Sequence, residues 1–113
     1  MSLDVSIYDN NNVEVYTDNI THNLNKMATA VSNDFYLSLW RPEELLKDSV
    51  LLTGRLLIPY IKIGLTELKL YPEKYKKYNP SNGWGEYKNL VLFCSKYLEA
   101  LKKWPNYNIN VSR

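Results

Sequence analysis

The sequence predicts a single α+β domain in which an N-terminal β-hairpin packs on three to four helices. Two short stretches near the N-terminus alternate apolar and polar residues, which is the period of a β-strand. Farther along the chain, apolar residues recur every three or four positions, which is the period of a helix with one buried face. The 113 residues are close to the commonest size of one domain, and no stretch has the composition of a linker, so residues 1–113 are expected to fold together.

The hairpin is expected over about residues 3–8 and 13–18. Its first strand places three apolar residues on one face, namely Leu3, Val5 and Ile7. The intervening Asp9–Asn12 is typical of a turn, because Asp and Asn tolerate left-handed backbone and hydrogen-bond their own main chain. Residues 108–111 are a candidate third strand. Two strands alone are marginal in water, so the apolar face must lie against helices.

The first helix is expected where apolar residues follow one another at helical spacing, at Ile20, Leu24, Met27, Ala28 and Val31. Asn19 or Thr21 would cap its start. Residues 34–40, three of which are aromatic, are followed by Arg41 and Pro42. A proline suits the first turn of a new helix.

A long helical pattern follows from about Glu43 to Leu70, with its apolar positions at Leu46, Val50, Leu57, Ile61, Leu65 and Leu68. Pro59 would kink this helix, because proline lacks an amide hydrogen; the alternative is two helices that meet near Pro59. A short helix is expected to begin at Pro72.

The last helix, from Tyr87 to Trp104, has the clearest period of three and four, and Pro105 ends it. The core is predicted to include Leu24, Met27, Val91, Cys94, Leu98 and Leu101. Cys94 lies on the apolar face of this helix, where a buried and unreactive thiol is expected.

Composition narrows the function classes. A single cysteine excludes an internal disulfide framework and any site of several cysteines, and we expect no metal and no cofactor. The first 12 residues lack the features of a signal peptide, and the apolar runs are too short to span a bilayer, so we expect a cytoplasmic protein without a membrane partner. A net charge of +2 is too small to predict a nucleic-acid partner.

Three polar strings carry a resemblance. Residues 19–28 (NITHNLNKMA), residues 39–44 (LWRPEE) and residues 79–87 (NPSNGWGEY) resemble signatures of a family of small proteins from bacteriophages and bacteria. The resemblance implies a phage-associated protein that acts in the host cytoplasm, and it points to these strings as the functional residues. It implies no activity and no catalytic residue.

The chemistry of the three strings favours a site for a phosphate-bearing nucleotide. Aromatic rings would stack on the base, a guanidinium and backbone amides would bind phosphate, and amides or an imidazole would bind ribose. The candidate residues are Asn19, His22, Asn23, Trp40, Arg41, Asn82, Gly83, Trp84, Gly85 and Tyr87. By analogy with small phage proteins, we expect a non-catalytic sponge that sequesters a nucleotide signal of host immunity.

Other interpretations stay open. Arg41 would instead pair with Glu44 or Asp34 while Trp40 fills the core, and the loop with Trp84 would be a tight turn into the last helix with the ring as an apolar plug. A protein-interaction module that inhibits a host protein would use an exposed patch at Leu92 and Phe93. The same patch could serve self-association, and we expect the protein to be a homo-oligomer. A small enzyme would depend on His22, whose nearby hydroxyls at Thr17, Thr21 and Thr29 lie in no nucleophile motif.

Overall fold

The computed structural model describes residues 1–49 and 51–113 and has the predicted α+β architecture. Three strands, Ser2–Tyr8 (β1), Glu14–Thr21 (β2) and Asn108–Ser112 (β3), form one antiparallel sheet in the order β2-β1-β3. The hairpin is therefore confirmed, and so is the third strand near the C-terminus.

The sheet buries one face only. On β1, Leu3, Val5 and Ile7 are fully buried, and the intervening Asp4 is exposed. Strand partners lie side by side on the same face of a sheet, so Val5 brings Asp18 and Val111 to the helical side. The turn between β1 and β2 is held by the Asp9 carboxylate, which accepts the amide hydrogens of residues 11 and 13 at 2.9 Å.

The helical segments in the described part of the chain are a 3₁₀ helix at His22–Leu24 and six α-helices: Asn25–Val31 (α1), Asn33–Trp40 (α2), Pro42–Leu45 (α3), Gly54–Leu70 (α4), Pro72–Lys76 (α5) and Tyr87–Lys103 (α6). Four of the six α-helices have seven or more residues. Within residues 1–49 and 51–113, none of the helices combines the length and the apolar character needed to cross a bilayer.

The predicted Thr21 cap of the first helical segment is confirmed, but Ile20 does not belong to that helix. Strand β2 continues to Thr21, so Ile20 lies in the strand and pairs with Leu3. The Thr21 hydroxyl then accepts the amide hydrogen of Asn23 and caps the 3₁₀ helix. Either a strand or a helix would bury the Ile20 side chain, so its apolar character alone does not decide between them. Pairing of residues 20 and 21 with Leu3 and Ser2 decides for the strand.

The long helical pattern after Glu43 is divided, but not at Pro59. Helix α4 runs through Pro59 as one element, so the alternative prediction of two helices that meet at Pro59 is wrong. The helical pattern is interrupted between α3 and α4 instead. Val50 of the predicted stripe lies outside the described residues, whereas Leu57, Ile61, Leu65 and Leu68 are buried as expected.

Helix α6 lies at the centre of the core and packs on α4 and on β2. Leu24, Met27, Cys94, Leu98 and Leu101 are buried as predicted, and Val91 is half-buried. The predicted exposed patch at Leu92 and Phe93 is wrong for Phe93, which is 3% exposed. The Phe93 ring packs against that of Tyr97, with the ring centres 5.9 Å apart, and only Leu92 is exposed. The apolar face of α6 is wider than the stripe read from its sequence.

Gly64 permits the close packing of α2 on α4. A Cβ atom at this position would overlap the ring of Phe35, which is 1% exposed. Gly64 is therefore a contact site between the two helices. Glycine destabilises the middle of a helix, and here the contact with Phe35 offsets that loss.

Candidate functional site

The loop before α6 is held by hydrogen bonds between its own residues. The Asn79 side-chain oxygen accepts the amide hydrogen of Tyr87 at 2.7 Å, and the Asn82 side-chain oxygen accepts that of Trp84 at 2.9 Å. Glu86 and Asn89 form a capping box at the start of α6. The loop is thus the turn into the last helix that one interpretation of the sequence described.

Gly85 lets this loop touch the end of β2. It has a φ of +96°, and a Cβ atom there would lie 2.6 Å from the Thr21 methyl group. Next to it, the Asn23 side-chain amide donates to the Trp84 carbonyl oxygen at 3.4 Å. These contacts bring the first and third polar strings together.

The second polar string contacts the first through the buried residue Trp40. Trp40 is 2% exposed, and its Nε1 donates a hydrogen bond to His22 Nδ1 at 3.0 Å. The Trp40 ring stacks on Tyr36, with centroids 5.6 Å apart and planes inclined by 11°. Trp40 fills the core and fixes His22, and its ring offers no free face to a base.

The bond from Trp40 also determines which His22 nitrogen carries the proton. A neutral imidazole that accepts at Nδ1 carries its hydrogen on Nε2. Nε2 has no hydrogen-bond partner in residues 1–49 and 51–113. His22 therefore has a donor available for a ligand.

A groove of about 570 Å³ lies between the start of α1 and the segment that follows α5, and we call it the polar groove. Its lining is rich in cationic and amide side chains: His22, Asn23, Asn25, Lys26, Lys77, Tyr78, Asn79, Pro80, Ser81 and Asn82. No Asp or Glu is among these described residues. Such a surface favours an anionic ligand with several hydrogen-bonding atoms.

The two lysines of the polar groove lack acidic partners. Within the described residues, neither Lys26 nor Lys77 forms an ion pair, whereas the neighbouring Lys74 and Lys76 lie 3.7 and 3.3 Å from Glu67 and Glu73. The positive charge of the groove is therefore not neutralised by the protein itself.

Of the ten predicted site residues, His22, Asn23 and Asn82 line the polar groove. Asn19 and Gly85 line a different groove of about 300 Å³, between β2 and α6, where Lys96 pairs with Asp18 at 3.3 Å. Gly85 and Thr21, which contact each other, both line this smaller groove.

Arg41 lies in neither of these grooves. Its guanidinium donates to the Glu44 carboxylate at 2.9 Å, which is one of the pairings that the sequence suggested. Hydrogen bonds to Glu44 and Tyr36 raise the pKa of Arg41. Arg41 is therefore engaged with Glu44, outside the lining of the polar groove.

The remaining predicted residues differ in exposure. Trp84 is 71% exposed, so it is not an apolar plug. Among the described residues, it lines neither the polar groove nor the groove between β2 and α6.

Tyr87 is half-buried. Its hydroxyl donates to the Leu68 carbonyl oxygen, and the Lys76 ammonium lies 5.7 Å from the centre of its ring. The Gly83 amide donates to the Pro80 carbonyl oxygen at 3.3 Å, so it is not free for phosphate.

The nucleotide site predicted from the sequence omits Asn25, Lys26 and Lys77, which line the polar groove. Lys26 and Asn25 belong to the first polar string, so the string itself was a sufficient signal. Lys77 belongs to residues 69–78 (KLYPEKYKKY), in which four lysines are interspersed with three tyrosines, but nothing in the sequence places these residues opposite α1.

Two further findings bear on the site. The described residues contain no cluster of three or more His, Cys, Asp or Glu side chains that could hold a metal ion. Comparison of this chain with family models, curated proteins and solved structures gives no match.

Proposed function

We propose that this protein binds a small phosphate-bearing nucleotide in the polar groove and holds it without chemical conversion. The observation that carries the proposal is the charge of the groove. Lys26 and Lys77 have no acidic partner in the described residues, and no carboxylate there lines the groove. A phosphate group is bound by cations and N–H donors that are not already neutralised.

The amide side chains support the same ligand chemistry. The side-chain oxygens of Asn79 and Asn82 are both occupied by backbone amides, so their NH₂ groups remain available as donors. The Nε2 hydrogen of His22 adds a donor on the opposite wall. Donors on both walls suit an anion better than they suit a cation.

The surroundings of His22 favour capture over conversion. Hydrolysis by a histidine needs a nucleophile and a group that orients the ring, commonly a carboxylate. Here the Trp40 indole donates to Nδ1, so the neutral ring carries its hydrogen on Nε2 and cannot take a proton from a hydroxyl of the groove such as that of Ser81. These contacts support a binding protein.

The resemblance of the polar strings to small phage proteins suggests the biological role. A phage protein that withholds a nucleotide signal from the host immune system would need binding without turnover. We therefore propose an anti-defence sponge, and a protein that inhibits a host protein through the exposed Leu92 and Trp84 side chains is the alternative.

The test is retention of nucleotides by the purified protein. The protein is incubated with a panel of cyclic and linear nucleotides, filtered and then denatured by heat, and both fractions are analysed by chromatography. We expect one nucleotide to disappear from the filtrate and to be released unchanged on heating.

Matched lysine variants make the experiment specific. Lys26→Ala and Lys77→Ala are expected to lose retention, whereas Lys62→Ala, which removes an exposed lysine from α4, should retain as much as wild type. If every nucleotide passes the filter, or if the released nucleotide is chemically changed, the proposal is wrong.

A further inference from the structure

Another groove, distinct from the one between β2 and α6, adjoins the polar groove. It has a volume of about 490 Å³ and shares Asn25, Lys26 and Tyr78 with the first. Its other walls are Thr29, Ala30 and Tyr36, and we call it the aromatic groove. The two grooves are thus adjacent compartments with one common wall, and that wall carries a cation.

The aromatic groove presents two tyrosines in different settings. Tyr78 is 45% exposed on the common wall. Tyr36 is half-buried and has Trp40 stacked against its ring, so this tyrosine is held in place by the core. Flat, exposed aromatic surfaces bind planar ligands by stacking, and stacking accepts any base because every base has a π-face.

Asn25 supplies hydrogen bonding on the same wall. Its side-chain amide has no side-chain partner in residues 1–49 and 51–113, and it lines both grooves. A carboxamide offers two donors and an acceptor side by side, which matches the alternating donors and acceptors at the edge of a nitrogenous base. An isolated phosphate would not use such a group together with two tyrosines.

We infer that the ligand has two parts, with its phosphate in the polar groove between Lys26 and Lys77 and its base in the aromatic groove against Tyr78. This inference rests on the proposed function and assigns the base to Tyr36 and Tyr78 rather than to Trp40, Trp84 or Tyr87. Lys26, on the common wall, lies where the two parts of a nucleoside phosphate join.

The test compares probes with and without a base. Binding of the four common nucleoside 5′-monophosphates and of ribose 5-phosphate is measured by titration calorimetry. We expect at least one nucleotide to bind about tenfold or more tightly than ribose 5-phosphate, the ratio that stacking of one base supplies.

Variants at one exposed position separate stacking from other effects. Tyr78→Ala should weaken nucleotide binding about tenfold and leave ribose 5-phosphate binding unchanged, whereas Tyr78→Phe, which keeps the ring, should bind both as wild type does. Because Tyr78 is exposed, neither change removes core contacts.

The outcomes distinguish the two proposals. Equal binding of ribose 5-phosphate and every nucleotide, or loss of ribose 5-phosphate binding in Tyr78→Ala, overturns the assignment of the base to the aromatic groove and leaves phosphate capture standing. If neither kind of probe binds and the filtration panel is also negative, both proposals are wrong.

Discussion

Helix α6 and the polar groove are built from opposite kinds of contact. Seven residues of α6 are buried, whereas none of the ten residues that line the polar groove is. The groove is held by single hydrogen bonds between distant segments, such as His22 with Trp40 and Asn23 with Trp84. Burial of many apolar groups gives α6 its stability, whereas the groove keeps its polar groups free for a ligand.

The largest effect is expected from a deletion in the buried region. Leu98 is 6% exposed, so Leu98→Ala should lower the free energy of unfolding by about 2–5 kcal/mol through lost burial and a new cavity. Urea unfolding followed by circular dichroism measures this change. Leu92→Ala, on the exposed side of the same helix, should change it by less than about 0.5 kcal/mol. Equal effects of the two variants would contradict the assignment of the buried face.

Gly64→Ala tests the same region by adding an atom. Alanine in an exposed helix is more favourable than glycine, yet here its methyl group would overlap the Phe35 ring. We expect the free energy of unfolding to fall by about 1–3 kcal/mol, measured by the same urea titration. Thr66→Ala, at an exposed position two residues along α4, is the control and should be close to neutral. A stabilised Gly64→Ala protein would show that α2 packs elsewhere.

Much of the buried region was predictable because each helix encodes its own period. The spacing from Leu90 to Leu101 indicates a buried face without knowledge of its partner. The groove could not be predicted in this way, since it forms only when residues 22–26 meet residues 77–82. Ile20 shows the limit of local patterns, because its helical spacing was overridden by pairing with Leu3.

Alkaline pH tests the burial of Cys94. Burial raises the pKa of the Cys94 thiol above its ordinary value of 9.0, so the folded chain keeps a proton that the unfolded chain loses. The free energy of unfolding should therefore fall as the pH rises above 9.0, by about 1 kcal/mol from this group at pH 10.

Comparison with Cys94→Ala isolates the contribution of the thiol. Burial also raises the pKa of Tyr97, and burial together with the neighbouring Asp18 raises the pKa of Tyr16, so some alkaline loss should persist in the variant. Identical pH profiles of the two proteins would mean that the thiol is accessible in the folded state.

A smaller effect than that of the core deletion is expected in the groove. His22→Leu leaves the buried Trp40 indole N–H without its acceptor and should cost about 1–2 kcal/mol. Faster hydrogen exchange of the Trp40 indole, followed by NMR, should accompany this loss. Asn23→Ala removes a longer and exposed hydrogen bond and should leave that indole unchanged. If His22→Leu costs as much as Leu98→Ala, the contrast between the two regions is false.

The position of β1 has a consequence for how the chain reaches its fold. This first strand lies in the middle of the sheet, and Ile7 pairs with Ile109 across nearly the whole length of the sequence. During synthesis β1 can pair with β2 early, but its second edge stays open until the last strand leaves the ribosome. Pairing at such sequence separation slows folding, so assembly of the sheet should be the slow step and the helices should form before it.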